Sequence, residues 1–510
     1  MPVHLQLAYS EGTVFPAQSL VVAVNDYQSA LLWDDGLGLD AVAGDGIFNG
    51  ELDIDLNELA SQYQRISDVG LSVPGFNGRD FTGWADPPEG DFEWLLQKFE
   101  EGTPIDLKAL SVGFPQLVSA PHSLFVTEPG TVADPSRTTP DVCQAGSGEA
   151  QKKWTFGYLM TRLANTQRTG IPASAFVRQW LETWSTEQYL NGWEVPRRDL
   201  IGDLISQWEG ASGGSTLDLD KAPFELLAIV NRIDLAENPA YGGTTRGEVR
   251  FIFGWVDLGT CQVQPFTVSF DFGVPEGGCA ELRTWAQQWK DLDVHVLGSQ
   301  DYNQALEALT EVVTRADAAP DKPNGSALNQ LRTNEQVLGL TAQLREFHLP
   351  QGDGPLTPAP VPLTPDSSLN GTEPVTAYLG DFTARLLGGQ HEVPLVYWGQ
   401  GFVGGAADVP SPSFFWQAEP ESLVDADARH QFSLNTCSGC HAGETGTSYM
   451  HLDPGTGALS GFLTGKSMPD PADPTLTREY ADLTFRAARL DSIANQMCLL
   501  RANDFRPQSH

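Results

Sequence analysis

Two cysteines and a histidine in the C-terminal part of this chain form the pattern Cys437-Ser438-Gly439-Cys440-His441. A C-x-x-C-H sequence is the attachment pattern of a covalently bound c-type haem. Thiols three residues apart can both reach the vinyl groups of one porphyrin, and the histidine that follows can ligate the iron. The pattern therefore predicts haem c with His441 as the proximal ligand. Two other interpretations are a Cys437–Cys440 disulfide beside an unrelated histidine, and half of a zinc site.

The ligand on the opposite side of the iron decides what such a haem can do. A methionine raises the reduction potential of an electron carrier, a histidine gives a lower potential, and an open position admits small molecules or peroxide. Met468 lies in Gly465-Lys466-Ser467-Met468-Pro469, where the Met-Pro pair resembles the distal loop of small c-type cytochromes. We therefore expect Met468 as the distal ligand, although its spacing from His441 is short for that family. The alternatives are His430, Met450, His451 and Met497, of which Met450 and His451 are too near His441 in sequence to reach the opposite haem face easily.

Two arginines lie in otherwise apolar surroundings. They are Arg232, in Asn231-Arg232-Ile233-Asp234, and Arg332, in the stretch 330–335. Arginine commonly binds buried carboxylates, and a haem propionate is one of these. An ion pair with an aspartate or glutamate of the same chain is the commoner arrangement, and we expect it here. In a haem enzyme with an open distal face, Arg332 or His430 could supply the polar group above the iron.

The composition restricts the partners. The chain has 510 residues, and 66 acidic against 30 basic side chains give a formal charge of −36. Such a surface repels nucleic acid and anionic lipid, so neither is expected as a partner, whereas a basic redox protein or a small molecule is compatible with it. No apolar run of about 18 residues is present, so we expect no transmembrane segment.

Carboxylates and glycines alternate in the stretch from Asp34 to Phe48. Asp34, Asp35, Asp40 and Asp45 could converge as oxygen ligands of calcium, because the glycines permit a tight backbone path. The alternative is a pair of tight turns that the aspartates stabilise by hydrogen bonds to the main chain. The stretch resembles the choice-of-anchor β-sandwich domains of secreted bacterial proteins. The resemblance implies a β-sandwich in residues 1–88.

The remaining cysteines and the haem motif both indicate an oxidising compartment. Cys261 and Cys279 bracket a strand-like stretch and are predicted to pair, which leaves Cys143 with Cys498, while four free thiols are the alternative. The expected location is the periplasm, the outer surface or the extracellular space of a bacterium. Residues 1–9 have neither the basic nor the apolar region of a signal peptide. We therefore expect that a signal or lipoprotein leader has been removed, which would allow a lipid anchor or another surface attachment.

The predicted elements give a multidomain α+β fold. We expect an N-terminal β-sandwich (1–88), a central domain with an antiparallel sheet and helices (89–420), and a mainly helical or irregular haem-bearing region packed on it (421–510). Strands at 225–235, 250–258 and 264–274 have short connectors, which favours an antiparallel meander. Strands and helices do not alternate, which argues against a doubly wound sheet. Amphipathic patterns predict helices at 154–163, 172–184, 198–208, 280–289, 302–316, 376–387 and 478–500.

The stretches 224–234 and 432–445 are similar to a group of uncharacterised exported bacterial proteins with one C-x-x-C-H motif. The resemblance implies an exported redox-type protein and no particular reaction. We therefore expect an exported monohaem c-type protein that transfers electrons or senses a redox-active molecule. The alternatives are a haem enzyme of the peroxidase or oxygenase type, and a calcium-binding surface or structural protein in which Cys437–Cys440 is a disulfide.

Overall fold

A computed structural model describes residues 118–236, 246–275, 278–337, 341–388, 392–420 and 422–495, and the main chain of strands at 2–8, 19–23, 29–33, 47–53 and 501–503. The chain divides into two compact units. The first contains Met1–Val118, Gly278–Gln287 and Ala487–Arg506, and the second contains Ser119–Gly277, Gln288–Arg486 and Pro507–His510. The fold is α+β with a large antiparallel sheet, as the predicted elements indicated.

The strands of the described residues are β1 (Pro2–Ala8), β2 (Ser19–Ala23), β3 (Ser29–Trp33), β4 (Ile47–Asp53), β5 (Phe125–Val126), β6 (Gln188–Leu190), β7 (Trp193–Val195), β8 (Phe224–Arg232), β9 (Glu248–Asp257), β10 (Gln262–Gly273), β11 (Leu328–Val337), β12 (Thr341–His348), β13 (Thr357–Ala359), β14 (Val396–Tyr397), β15 (Gln400–Gly401), β16 (Ala407–Val409), β17 (Lys466–Pro469), β18 (Thr477–Tyr480) and β19 (Arg501–Asn503).

The α-helices of the described residues are α1 (Ala120–Ser123), α2 (Pro129–Val132), α3 (Phe156–Ala164), α4 (Thr166–Thr169), α5 (Ala173–Glu182), α6 (Leu200–Ser212), α7 (Cys279–Lys290), α8 (Gln300–Thr314), α9 (Glu373–Asp381), α10 (Thr383–Leu387), α11 (Ala426–Leu434), α12 (Cys437–Cys440), α13 (Gly461–Thr464) and α14 (Asp482–Asn495). Among the described residues, no helix has the length and apolarity needed to cross a membrane.

The first unit contains a five-stranded antiparallel sheet in the order β1-β4-β3-β2-β19. β1 and β4 pair along their whole length, from Pro2 opposite Asp53 to Ala8 opposite Ile47. β2 and β3 pair in the same way, from Ser19 opposite Trp33 to Ala23 opposite Ser29. The predicted calcium ligands Asp34, Asp35, Asp40 and Asp45 lie outside the described residues.

The second unit is built on an eight-stranded sheet with the path β13-β12-β11-β10-β9-β8-β5, in which β16 also pairs with β12. The predicted meander is confirmed as β8, β9 and β10, which are antiparallel neighbours. β11 and β12 continue the meander but were not predicted as strands. Charged residues of these strands, such as Glu335, Arg345 and Glu346, are buried in the folded chain, whereas the prediction of a strand relies on apolar residues at the buried positions.

One face of this sheet is covered by aromatic packing from α3 and from the end of α5. Phe156 in α3 stacks on Phe224 at 4.1 Å between ring centroids and meets Phe253 and Phe270 edge-on. The N-cap residue Thr155 accepts a hydrogen bond from the Tyr158 amide and fixes where α3 begins. Ring pairs of this kind add about 0.5–1.5 kcal/mol each to the free energy gained by burial. This face is the core of the second unit.

The opposite face is buried and charged. Its acidic and basic side chains alternate across neighbouring strands and bind one another. Arg250 pairs with Glu248 at 2.7 Å, and Arg332 pairs with Glu346 at 2.8 Å. At the end of β8, Arg232 pairs with Asp234 at 3.0 Å. The expectation that Arg232 and Arg332 form ion pairs within the chain is therefore confirmed.

A disulfide joins Cys143 to Cys261, with 6.1 Å between their Cα atoms. The predicted Cys261–Cys279 pairing is therefore wrong. The prediction relied on closeness in sequence, but Cys261 lies in the tight turn between β9 and β10, and folding brings the loop that holds Cys143 to that turn. Cys498, the predicted partner of Cys143, lies outside the described residues.

Removing this disulfide should destabilise the protein. The bond closes a loop with a sequence separation of 118, so the double variant Cys143→Ser/Cys261→Ser should lose roughly 3–5 kcal/mol of unfolding free energy. Urea unfolding monitored by tryptophan fluorescence measures this loss. A reductant should lower the stability of the wild type and leave the double variant unchanged. Equal stability of the oxidised wild type and the variant would contradict the prediction.

The charged face of the sheet should also make the free energy of unfolding depend on pH. Burial by itself raises the pKa of Glu248, but Arg250, Arg332 and a hydrogen bond from Asn329 outweigh it and lower that pKa from 4.5 to about 2. A carboxyl group whose pKa is lower in the folded than in the unfolded chain contributes its full stabilisation at pH values above the unfolded pKa. This contribution is lost as the pH falls through the folded pKa of about 2. For Glu248 it amounts to about 3 kcal/mol. Between about pH 2 and about pH 6, the free energy of urea unfolding should depend less steeply on pH for Glu248→Gln than for the wild type. Equal pH dependence of this free energy in the two proteins would contradict the prediction.

Candidate functional site

The two motif cysteines lie at the two ends of one helical turn, α12. Thr436 caps this turn, because its hydroxyl accepts a hydrogen bond from the Gly439 amide at 3.0 Å. A side chain at position 439 would collide with the Ser433 carbonyl, so glycine is required there. Residues three apart in a helix lie on the same side of it. The spacing C-S-G-C therefore places both thiols on one side of a rigid turn.

Two neighbouring segments hold this turn in place. The indole nitrogen of Trp416 donates to the Ser438 hydroxyl at 3.1 Å, and the Cys437 amide donates to the Thr364 hydroxyl at 2.9 Å. On the side of the large sheet, Cys437 belongs to an apolar cluster. The other buried members of that cluster are Ala342, Leu344, Val361, Ala407, Val409, Ala442 and Tyr449.

Both motif cysteines are buried, and neither forms a disulfide. Burial raises the pKa of Cys437, so this cysteine holds its proton at neutral pH. The structure contains no Cys437–Cys440 disulfide. Among the described residues, the group of three or more metal-type ligand atoms within 4.8 Å of one another belongs to His430, Glu444 and Asp470 and does not include the motif.

His441 has the hydrogen bonding of a histidine that ligates a metal. It is 8 % exposed, and burial lowers its pKa to about 4, so the ring is neutral at pH 7. Its Nδ1 lies 2.7 Å from the Tyr449 carbonyl, which can only accept, so the ring proton is on Nδ1. The lone pair is then on Nε2, for which the described residues provide no hydrogen-bond partner. A ligating histidine commonly fixes its other nitrogen on a carbonyl in this way.

Asn334 reinforces this arrangement from the large sheet. Its side-chain amide donates to the same Tyr449 carbonyl at 2.7 Å. It also lies 3.4 Å from His441 Nδ1. β11 thus fixes the carbonyl that orients His441.

His451 is the side chain that sequence reasoning undervalued. Its ring lies 4.5 Å from the ring of His441, and its Nε2 lies 3.2 Å from the sulfur of Cys440. Ser460 holds its Nδ1 at 2.9 Å. Burial, and then the neighbouring His441, Arg486 and Arg232, lower the pKa of His451 well below its ordinary value. Because His451 is close to His441 in sequence, we did not expect it as a distal ligand. The sequence did not indicate that it contacts both His441 and Cys440.

The predicted distal ligand Met468 lies on the hairpin of β17 and β18, where it is opposite Arg478. Its sulfur packs beside Gly446, at 3.1 Å from where a Cβ would stand. Of the alternatives, Met450 packs against the cluster around Cys437, and His430 binds Glu444. Met497 lies outside the described residues. Ligation by Met468 stays a prediction.

A buried charge network, which sequence reasoning missed, fixes the segment after the motif. Arg429 in α11 binds both carboxylate oxygens of Glu444, at 2.7 and 3.0 Å, and binds Asp470 at 3.0 Å. Burial by itself raises the pKa of Glu444, but hydrogen bonds from His430 and Arg429 outweigh it and hold that pKa below its ordinary value. Because Arg429 already binds both carboxylates, this group is an ion-pair anchor. The network ties α11 to the loop after His441 and to the residue after β17.

Comparisons of the chain with protein-family models, with curated proteins and with solved structures find no match.

Breaking the network at its centre should cost more than breaking a surface pair. Arg429→Met would leave Glu444 and Asp470 buried without their guanidinium, so we expect a loss of about 3–5 kcal/mol of unfolding free energy. The matched control is Arg178→Met, which removes the partly exposed pair with Glu209 and should cost at most about 1 kcal/mol. Urea unfolding of both variants tests this. Equal losses in the two variants would contradict the prediction.

Proposed function

We propose that the protein is an exported monohaem c-type protein that transfers electrons or senses a redox-active molecule. The observation that carries this proposal is the state of His441. Its Nδ1–H is fixed on the Tyr449 carbonyl and its Nε2 lone pair is available, directly after two cysteines that share one helical turn and form no disulfide. Neither a Cys437–Cys440 disulfide nor a histidine without a metal to bind would require an imidazole with a fixed tautomer beside the two cysteines.

The residues present fit a haem c by the chemistry of their donors. Cys437 and Cys440 would hold the porphyrin by thioether bonds, and His441 would ligate the iron through Nε2. When bound, the haem supplies a reversible one-electron change at iron. The chain orients the imidazole through Tyr449 and Asn334, keeps it neutral by burial, and limits the access of water to it. Met468 is proposed as the distal ligand.

A location outside the cytoplasm completes the proposal. The Cys143–Cys261 disulfide supports it, because disulfides persist in oxidising compartments. We further propose that the five-stranded sheet of the first unit belongs to a β-sandwich of the choice-of-anchor type. Asp34, Asp35, Asp40 and Asp45 are the proposed calcium ligands of that domain.

Expression with export in a bacterium that has haem c maturation tests the haem. We expect an intact mass increased by one haem and a reduced-minus-oxidised spectrum of a c-type cytochrome. Cys437→Ser/Cys440→Ser should abolish the mass increase, because no thioether can form. The matched control Cys143→Ser/Cys261→Ser should keep it. A wild type without covalent haem, made in cells that load a known c-type cytochrome, would sink the proposal.

A further inference from the structure

The hairpin of β14 and β15 exposes a tryptophan in an unfavourable backbone conformation. Trp398 and Gly399 connect the strands with φ values of 52° and 78°. Two-residue hairpin turns with two positive φ values favour asparagine, aspartate and glycine, whereas a bulky side chain there is strained. The Trp398 side chain is nevertheless 55 % exposed. An exposed tryptophan on a strained backbone is more typical of a binding residue than of a turn residue, which indicates that the Trp398 indole binds a partner.

A second hairpin, formed by β6 and β7, contacts the Trp398 hairpin and also exposes an apolar side chain. Tyr189 in β6 is exposed, as are Leu395 and Val396 at the start of the Trp398 hairpin. Asn191 joins the two hairpins, because its side chain donates to the Leu395 and Val403 carbonyls, each at 2.7 Å. We name Tyr189, Leu395, Val396 and Trp398 the Trp398 surface.

The charged residues of the two segments that form this surface are all acidic, and the exposed Arg197 follows the first segment. The two segments that form it, 186–195 and 392–403, contain Glu187, Glu194 and Glu392 and no lysine or arginine. All three glutamates are exposed. Exposed carboxylates beside aromatic rings are complementary to lysine and arginine, which pair with the former and stack on the latter. An anionic lipid surface would be repelled.

A row of aromatic rings leads inward from Trp398 to the motif. Successive ring centroids along this row are 5.4–5.7 Å apart. The row consists of Trp398, Tyr397, Tyr378, Phe432 and Trp416. It ends at the hydrogen bond from Trp416 to Ser438, which lies between the two motif cysteines. The exposed hairpin and the proposed haem attachment turn are therefore in contact through packed side chains.

We infer that the Trp398 surface is the docking site of a basic one-electron carrier protein, and that the aromatic row links this site to the haem. The inference rests on the proposed haem function and names its partner. One electron passes between the haem iron and the redox centre of the carrier, so that one is oxidised as the other is reduced, and no bond forms or breaks.

The test uses Trp398→Asn in the haem-loaded, full chain, with a basic cytochrome c as the probe. Asparagine suits the turn, so the variant should be at least as stable as the wild type, and misfolding cannot explain a loss of binding. Calorimetry at low salt should show binding by the wild type that weakens at high salt. Binding by Trp398→Asn should be at least about ten-fold weaker, and stopped-flow electron transfer to the oxidised probe should slow in parallel.

The matched control is Leu423→Asn, which removes a fully exposed apolar side chain outside the Trp398 surface. It should bind the probe as the wild type does. Glu187→Gln/Glu194→Gln/Glu392→Gln should weaken binding and reduce its dependence on salt. Wild-type binding that Trp398→Asn retains within two-fold, or no wild-type binding at low salt, would overturn the inference. Calorimetric binding does not require haem in this chain, so failure of haem attachment and failure of docking are separate results.

Discussion

Pairing of buried charge is the constraint on which this structure depends. An isolated buried carboxylate or guanidinium costs several kcal/mol, and only a well-placed partner offsets that cost. In the second unit such partners are found, among other places, on the polar face of its eight-stranded sheet and in the network of Arg429, Glu444 and Asp470. The first lies on the side of the sheet that carries the motif, and the second fixes the loop that follows it. A charged pair has few alternative partners in an apolar setting, so these contacts specify one arrangement of the segments around His441.

The orientation of His441 follows from this framework. Asn334 on β11 binds the Tyr449 carbonyl, and that carbonyl sets the tautomer of His441. The central strands of the sheet are thus connected to the proposed iron ligand through two hydrogen bonds. Part of the chain around the motif thus keeps one imidazole neutral and oriented. The aromatic row adds a second connection, from the motif to an exposed hairpin, which we propose as the docking site of a partner.

Local patterns predicted many of the elements correctly. The amphipathic stripes of α3, α5 and α8 and the apolar run of β8 follow from side-chain periodicity alone, since those residues face a single core. β11 and β12 were missed because their buried side chains include Glu335, Arg345 and Glu346, whose ion-pair partners lie on the neighbouring strand and are not marked by any local apolar pattern. The Cys261–Cys279 pairing failed for a similar reason. The actual partner, Cys143, is distant along the chain, and sequence separation does not indicate which loops meet.

The sequence by itself determined the chemistry of the site. Two thiols at helical spacing followed by an imidazole predict the same set of donors whatever the surrounding fold, because that spacing is local. The tertiary structure decided the protonation of those donors and the side chains that contact them. Burial and the Tyr449 carbonyl set the protonation of His441, and folding placed His451 against Cys440 and Trp416 against Ser438. These properties depend on segments distant in sequence, and only packing of the whole unit brings them within hydrogen-bond distance.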